Sequence, residues 1–131
     1  MSAHHSPFKS KGGFSRVINA ARYSLQGLRE ALRHEAAFRQ ELFLALILTP
    51  AAFWVGQTGM QIMTLIASLF FVLVVELLNS AIEAVSDAIS LEENSLIGRA
   101  KDLGSAAVLL SLILTAGLWG VVLLNHWHPV L

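Results

Sequence analysis

The chain has 131 residues, of which 55% are hydrophobic and 14% charged, and it contains no cysteine. This length suits a single domain, and the charged fraction is well below the ~25% that is typical of soluble domains. The composition therefore excludes disulfide and thiol chemistry and indicates that lipid, not water, surrounds most of the protein. The formal net charge is zero, but this average hides a strong segregation of charges along the chain. No nucleic-acid partner is expected.

The N-terminal third is predicted to contain a flexible tail and one amphipathic helix. The tail covers residues 1–13. Residues 1–11 are polar, and no apolar signal-peptide core follows within the first thirty residues. Residues 14–33 place apolar side chains at i, i+3, i+4 and i+7, interleaved with arginines. A basic amphipathic helix ahead of hydrophobic spans indicates a helix lying in the membrane interface, the alternative being an ordinary soluble amphipathic helix. Gly27 is a candidate for a break where the chain turns into the bilayer.

Three transmembrane helices are predicted in the rest of the chain. Residues 42–75 contain no Asp, Glu, Lys or Arg and are too long for one span of about 20 residues. The Gly56–Gly59 segment supplies a turn in their middle, so they form a helical hairpin. A third charge-free stretch follows. The predicted spans cover residues 36–56, 60–89 and 98–125, all within one membrane domain of residues 14–131.

Several smaller features belong to these spans. Ser111 and Thr115 are expected to form hydrogen bonds between helices. Trp54, Trp119 and Trp127 lie near span ends, where aromatic belts are found.

His126 and His128 could form a metal pair, although a solvated C-terminal tail is the preferred interpretation. Glu92 and Glu93 are expected in a solvated loop, and the small side chains of residues 104–107 allow close helix contact at the start of the third span.

The basic residues predict the orientation in the membrane. They lie before the first span or between the second and third spans, and the Gly56–Gly59 turn and the tail after residue 125 contain none. The positive-inside rule therefore places the N-terminus in the cytoplasm. The acidic residues lie on the same side, so any chemistry is expected at the cytoplasmic face of the inner membrane.

The second span ends in a polar stripe. Glu76, Asn79, Glu83 and Asp87 fall within an arc of about 80° on one face of a helix. Glu76 directly follows a long apolar run, and an ionisable residue at such depth indicates function by default. Such a carboxylate suits a general base or a proton carrier.

The other two span mouths carry charged residues that can converge with this stripe. Glu35 and Glu41 lie at the first span, and residues 98–102 at the third. Carboxylates such as Glu35 and Glu83 could hold Mg²⁺, which prefers one or two carboxylates plus substrate phosphates. Lys101 and other basic side chains could neutralise phosphate oxygens. No P-loop, dinucleotide-binding or protein-kinase motif is present, so spacing alone does not name a reaction.

The stripe resembles the prokaryotic diacylglycerol kinase family, the small integral-membrane lipid kinases. The matching pattern is E-x-x-N-S-A-x-E-x-x-x-D over residues 76–87, and two further blocks, residues 35–41 and 98–107, are similar to the family. The resemblance covers almost the whole chain. It implies an all-α membrane fold, with one interfacial helix and three spans in a homotrimeric bundle. It also implies transfer of the γ-phosphoryl group of ATP to diacylglycerol, giving phosphatidate.

The resemblance also implies roles for individual residues. Glu76 is expected to be the general base on the lipid hydroxyl, and Glu35 and Glu83 are expected to be Mg²⁺ ligands under ATP. The expected nucleotide-binding set is Arg16, Tyr23, Glu35, Asn79, Glu83, Asp87, Lys101 and Asp102. The expected lipid-side set is Glu41, Glu76, Arg99 and Ser105.

Two alternatives to a diacylglycerol kinase stay open at this point. Related Gram-positive family members phosphorylate undecaprenol, and the motif residues serve the phosphate chemistry, not the acyl chains. A proton- or ion-conducting oligomer using Glu76 is the competitor from another class. Conduction needs polar groups through the bilayer, whereas polarity here is concentrated at one end of the spans. A purely structural membrane subunit leaves the 76–87 stripe unexplained.

Overall fold

The computed structural model describes residues 12–89 and 94–128, which form four α-helices and no β-strand. The helices are α1 (Gly13–His34), α2 (Ala36–Val55), α3 (Gly59–Ile89) and α4 (Ser95–Trp127). The all-α prediction is confirmed, and α2, α3 and α4 are each long and apolar enough to cross a membrane. The predicted tail up to residue 11 and the predicted solvated loop at Glu92 and Glu93 lie outside the described residues.

α1 forms one compact unit of the chain, and α2, α3 and α4 form a second. α1 is an uninterrupted amphipathic helix in which Arg33 and His34 occupy the last turn. The expectation of a break at Gly27 is wrong, because the helix runs through that residue and ends at His34. The break falls instead at Glu35, whose extended backbone (φ −106°, ψ 103°) precedes α2.

In the second unit α3 is the central helix, and it packs against both α2 and α4. Most large apolar side chains of these helices remain exposed, as expected for a surface in contact with lipid. The buried core lies near the α2–α3 turn. It consists of Ala52, Val55, Leu65 and Val122, with Ile66, Trp119 and Leu123 packed against it.

The turn between α2 and α3 is stabilised locally. A Cβ on Gly56 would come within 2.6 Å of the Ile62 side chain and 2.9 Å of the Ala52 carbonyl oxygen, so the turn leaves room only for glycine there. The Gln61 amide donates to Thr58 Oγ1 (3.1 Å), and Gln61 Oε1 accepts from the Gln57 amide (2.8 Å). These bonds satisfy amide donors at the start of α3 in the manner of a capping box.

The far end of α4 is also held to this turn. His126 Nδ1 lies 3.2 Å from the Val55 carbonyl oxygen, and its ring lies 5.7 Å from that of Trp54. The preferred interpretation of a solvated tail is therefore wrong for His126, because α4 extends to Trp127 and carries this ring back to α2.

Polar side chains link α3 and α4 inside the bundle. The Thr115 hydroxyl is shared between two acceptors, the Ser68 carbonyl oxygen of α3 (3.3 Å) and the nearer Ser111 carbonyl oxygen of its own helix (2.8 Å). Trp119 Nε1 donates to Ser68 Oγ (3.2 Å). The expected interhelical bond is confirmed for Thr115, whereas Ser111 Oγ donates within its own helix, to Val108. Trp54 and Trp127 are exposed, but Trp119 packs against the core instead of facing an aromatic belt.

Replacing Ser68 with alanine is expected to destabilise the folded protein modestly. The change removes the acceptor of the Trp119 indole, and interhelical hydrogen bonds within membranes contribute ~0.6 kcal/mol on average. Thermal unfolding in detergent measures the effect. Ser24→Ala is the control, because the Ser24 hydroxyl donates to the Ala20 carbonyl oxygen of its own helix. Equal unfolding temperatures for the two variants would contradict the prediction.

Candidate functional site

The C-terminal half of α3 carries a polar stripe that is buried at its start and exposed at its end. Glu76 is 5% exposed and Asn79 is 8% exposed, while Glu83 and Asp87, one and two turns further on, are exposed. α3 continues without a break to Ile89, so its length alone brings the stripe to the end of the span. A single chain therefore suffices to bury Glu76 and Asn79.

Asn79 orients the Glu83 carboxylate. Asn79 Nδ2 donates to Glu83 Oε1 over 3.3 Å, one helical turn along α3. A carboxylate can only accept, so the partner fixes which end of the carboxamide faces it. The second carboxylate oxygen of Glu83 is left for another ligand, on a side chain that is exposed.

Glu35 and Glu41 extend the cluster from the α2 side. Glu41 and Glu76 interact electrostatically, and so do Glu35 and Glu76. Glu35 occupies the N-cap position of α2, yet its side chain makes no capping hydrogen bond. Glu41 Oε2 is buried and has no hydrogen-bond partner in the described part of the chain. Carboxylates gathered in this way repel one another, so the cluster favours binding of a cation or a proton.

α4 supplies the positive charge. Lys101 Nζ lies 2.6 Å from Asp87 Oδ1, and the Lys101 ammonium group also interacts electrostatically with Glu83. Both side chains of the ion pair are about half exposed (41% and 51%), so it contributes little to stability. Its effect is to place an ammonium group beside the exposed end of the stripe. Charged side chains from the ends of all three spans therefore come together, as the sequence predicts for Glu35, Glu41 and Lys101.

The other predicted site residues are not brought to this cluster by contacts within the second unit. Arg99, Asp102 and Ser105 are exposed on α4, and Asp102 is rotated by about 100° from Lys101. Arg16 and Tyr23 are exposed on α1, which belongs to the separate unit. The roles of these five residues stay predictions.

One contact at the site was not specified by the sequence. Gly104 of α4 is buried against the Asn79 carboxamide, whereas residues 105–107 are exposed. The run of small residues at the start of the third span was the available signal. It indicated a close helix contact but not which residue makes it or what that residue touches.

The carboxylates fit a magnesium ion that completes its shell with substrate oxygens. Among the described residues, no group of three or more His, Cys, Asp or Glu side chains is arranged to hold a metal ion. Glu35 is not used as a helix cap, and Glu83 has one oxygen outside its bond to Asn79. One or two carboxylates with phosphate and water is the coordination that Mg²⁺ prefers, so the donor set matches.

Fold and site together define a small α-helical membrane protein with a cluster of carboxylates at one end of its spans. Residues 22–123 match the sequence profile of the family described as prokaryotic diacylglycerol kinase. The chain is 48% identical to the diacylglycerol kinase of Haemophilus influenzae over 111 residues, or 85% of this chain and 94% of that protein. Identity to the diacylglycerol kinase of Escherichia coli K12 is 48% over 115 residues, or 88% of this chain and 94% of that protein.

A third relative extends the match. The diacylglycerol kinase of Pseudomonas aeruginosa is 45% identical over 120 residues, or 92% of this chain and 98% of that protein. The chain therefore belongs to the prokaryotic diacylglycerol kinase family. It is a kinase of a bacterial membrane-protein family, and the resemblance noted in residues 76–87 is confirmed.

Proposed function

We propose that the protein transfers the γ-phosphoryl group of ATP to the hydroxyl of diacylglycerol, giving phosphatidate at the cytoplasmic face of the inner membrane. The observation that supports this most directly is the placement of Glu76. It is buried at the base of a stripe whose outer members, Glu83 and Asp87, are exposed and adjoin Lys101. A lipid hydroxyl can reach the inner end of such a stripe while a nucleotide occupies the outer end.

The proposed role of each residue follows from its depth along the stripe. Glu76 accepts the proton of the lipid hydroxyl as its oxygen bonds to the γ-phosphorus and the bond to the leaving ADP oxygen breaks. Glu35 and Glu83 would hold Mg²⁺, which when bound neutralises phosphate charge. Lys101 adds an ammonium group on the phosphate side, kept in place by Asp87. Arg16, Tyr23 and Asp102 complete the nucleotide side, and Glu41, Arg99 and Ser105 the lipid side.

Location and assembly belong to the same proposal. The distribution of basic residues supports a cytoplasmic N-terminus, because the α2–α3 turn carries no Lys or Arg. A homotrimer is implied by the family resemblance. It is supported by Arg99 and Asp102, which are exposed on a different side of α4 from Lys101 and could reach a neighbouring copy.

Ion conduction is disfavoured by the structure of the half of the bundle that lies away from the carboxylate cluster. There Thr115 and Trp119 of α4 each donate a hydrogen bond to Ser68 of α3, and these bonds hold the two helices together. A conduction path needs polar groups through the whole bilayer, facing water or the transported ion. The buried core beyond them is apolar.

A lipid phosphorylation assay tests the proposed function. The full chain is purified in mixed micelles with Mg-ATP and either diacylglycerol or undecaprenol, and phospholipid product and ADP are measured together. We expect phosphatidate with stoichiometric ADP, and a lower rate on undecaprenol. Product from undecaprenol alone would mean that undecaprenol, not diacylglycerol, is the lipid substrate. Product from neither lipid would overturn the kinase proposal.

A further inference from the structure

Gly104 is the glycine of α4 that meets another helix. A Cβ built on Gly104 would overlap Asn79 Oδ1, and it would lie 3.4 Å from Asn79 Cγ and 3.6 Å from Ile82 Cδ1. At the other three glycines of α4, residues 98, 117 and 120, a Cβ would meet nothing within 4 Å. The requirement at residue 104 is for space, because its backbone is helical and its φ is not positive.

The Asn79 carboxamide is held from both ends. Its Nδ2 donates to Glu83, and its Oδ1 occupies the space beside the Gly104 Cα. Oδ1 is buried and accepts no hydrogen bond from residues 12–89 or 94–128. A buried acceptor without a donor costs stability, so this arrangement is not explained by helix packing alone. Rotating the amide to find a donor for Oδ1 would take Nδ2 away from Glu83.

We propose that Gly104 is a positioning residue, which acts through Asn79 to hold the Glu83 carboxylate in the orientation needed for the metal–nucleotide site. The proposal rests on the role of Glu83 proposed above. The missing side chain lets the Asn79 carboxamide occupy the space beside α4, and this position keeps the bond to Glu83 in place. Gly104 itself touches neither substrate.

The atoms involved predict how the protein responds to a larger residue. The group that a Cβ would strike is the end of a flexible side chain, not backbone. In Gly104→Ala the carboxamide therefore turns away and releases Glu83, while the helices stay packed. Residues that support metal ligands typically change metal affinity or activity by about 10–100-fold when mutated.

Steady-state kinetics of the full-length protein provide the first test. For Gly104→Ala we expect the Mg²⁺ concentration at half-maximal rate to rise about 10–100-fold, with little change in the KM for lipid. Gly117→Ala, on the same helix, is the matched control and should behave as wild type. In an Asn79→Ala background the Gly104→Ala change should have less than about a two-fold further effect, because the two residues act as one unit. Independent, multiplying effects, or equal Mg²⁺ dependence in the two glycine variants, would overturn the proposal.

A second measurement does not depend on kinase activity. In asparagine-¹⁵N-labelled protein in micelles, Gly104→Ala should shift the side-chain amide resonances of Asn79, assigned by their loss in Asn79→Ala, and Gly117→Ala should not. If Gly104→Ala fails to fold, the double variant with Asn79→Ala should recover folding, since removal of the carboxamide takes away the two atoms nearest to the added Cβ and leaves Ile82 Cδ1 at an ordinary contact distance of 3.6 Å. Unshifted resonances, or a double variant no better folded than the single one, would refute the proposal. An inactive wild-type protein would count against the proposed function only.

Discussion

Replacing Glu76 with glutamine is expected to lower kcat for lipid phosphorylation by about 10²–10⁴-fold, the usual contribution of a general base. Glutamine keeps the shape of the side chain and removes the group that accepts the proton. Glu76 is buried at the inner end of the stripe, below the exposed Glu83 and Asp87, so ATP binding should change by less than a few-fold. Rapid-quench turnover and equilibrium binding of Mg-ATP measure the two quantities.

The stability of the same variant separates loss of chemistry from loss of folding. Glu76 is buried and interacts electrostatically with Glu35, Glu41 and Glu83, so removing its charge relieves repulsion. The unfolding temperature of Glu76→Gln should be at least as high as that of wild type. Glu30→Gln is the control for the chemical change, since Glu30 is exposed on α1, where it pairs with His34 one helical turn away. Near-normal turnover in Glu76→Gln would remove this residue from the role of base.

Replacing Glu83 with glutamine is expected to raise the Mg²⁺ concentration needed for half-maximal activity by an order of magnitude or more. An amide oxygen is a weaker ligand than a carboxylate for a small divalent cation. The glutamine oxygen can still accept from Asn79 Nδ2, so the local geometry is retained. Titration of activity with Mg²⁺ at fixed ATP should show much of the lost rate returning as Mg²⁺ is raised.

The pattern of recovery distinguishes this effect from that of Glu76→Gln. Added Mg²⁺ should restore activity in Glu83→Gln and leave Glu76→Gln inactive, because only the first change weakens a metal ligand. Glu30→Gln again controls for the loss of one carboxylate elsewhere. A Mg²⁺ requirement in Glu83→Gln that matches wild type would exclude Glu83 as a ligand.

Much of the architecture was predictable because span length and charge exclusion are local properties of the chain. The charge-free residues 42–75, divided by the Gly56–Gly59 turn, specified a hairpin without reference to any other segment. Burial of Glu76 and Asn79 followed from the cost of exposing ionised and amide groups to lipid. The position of the break before α2 was missed, since an isolated glycine such as Gly27 is tolerated within an amphipathic helix.

By itself the sequence determined the number of spans, the polar end of α3 and the family, because each depends on residue type and spacing along one helix. The tertiary structure alone decided which groups meet across helices: Lys101 with Asp87, Trp119 with Ser68, and Gly104 with Asn79. The physical reason is that such pairs depend on the axial shift and the rotation of two long helices. A rotation of one residue, about 100°, would carry Gly104 away from Asn79 while leaving every local pattern unchanged.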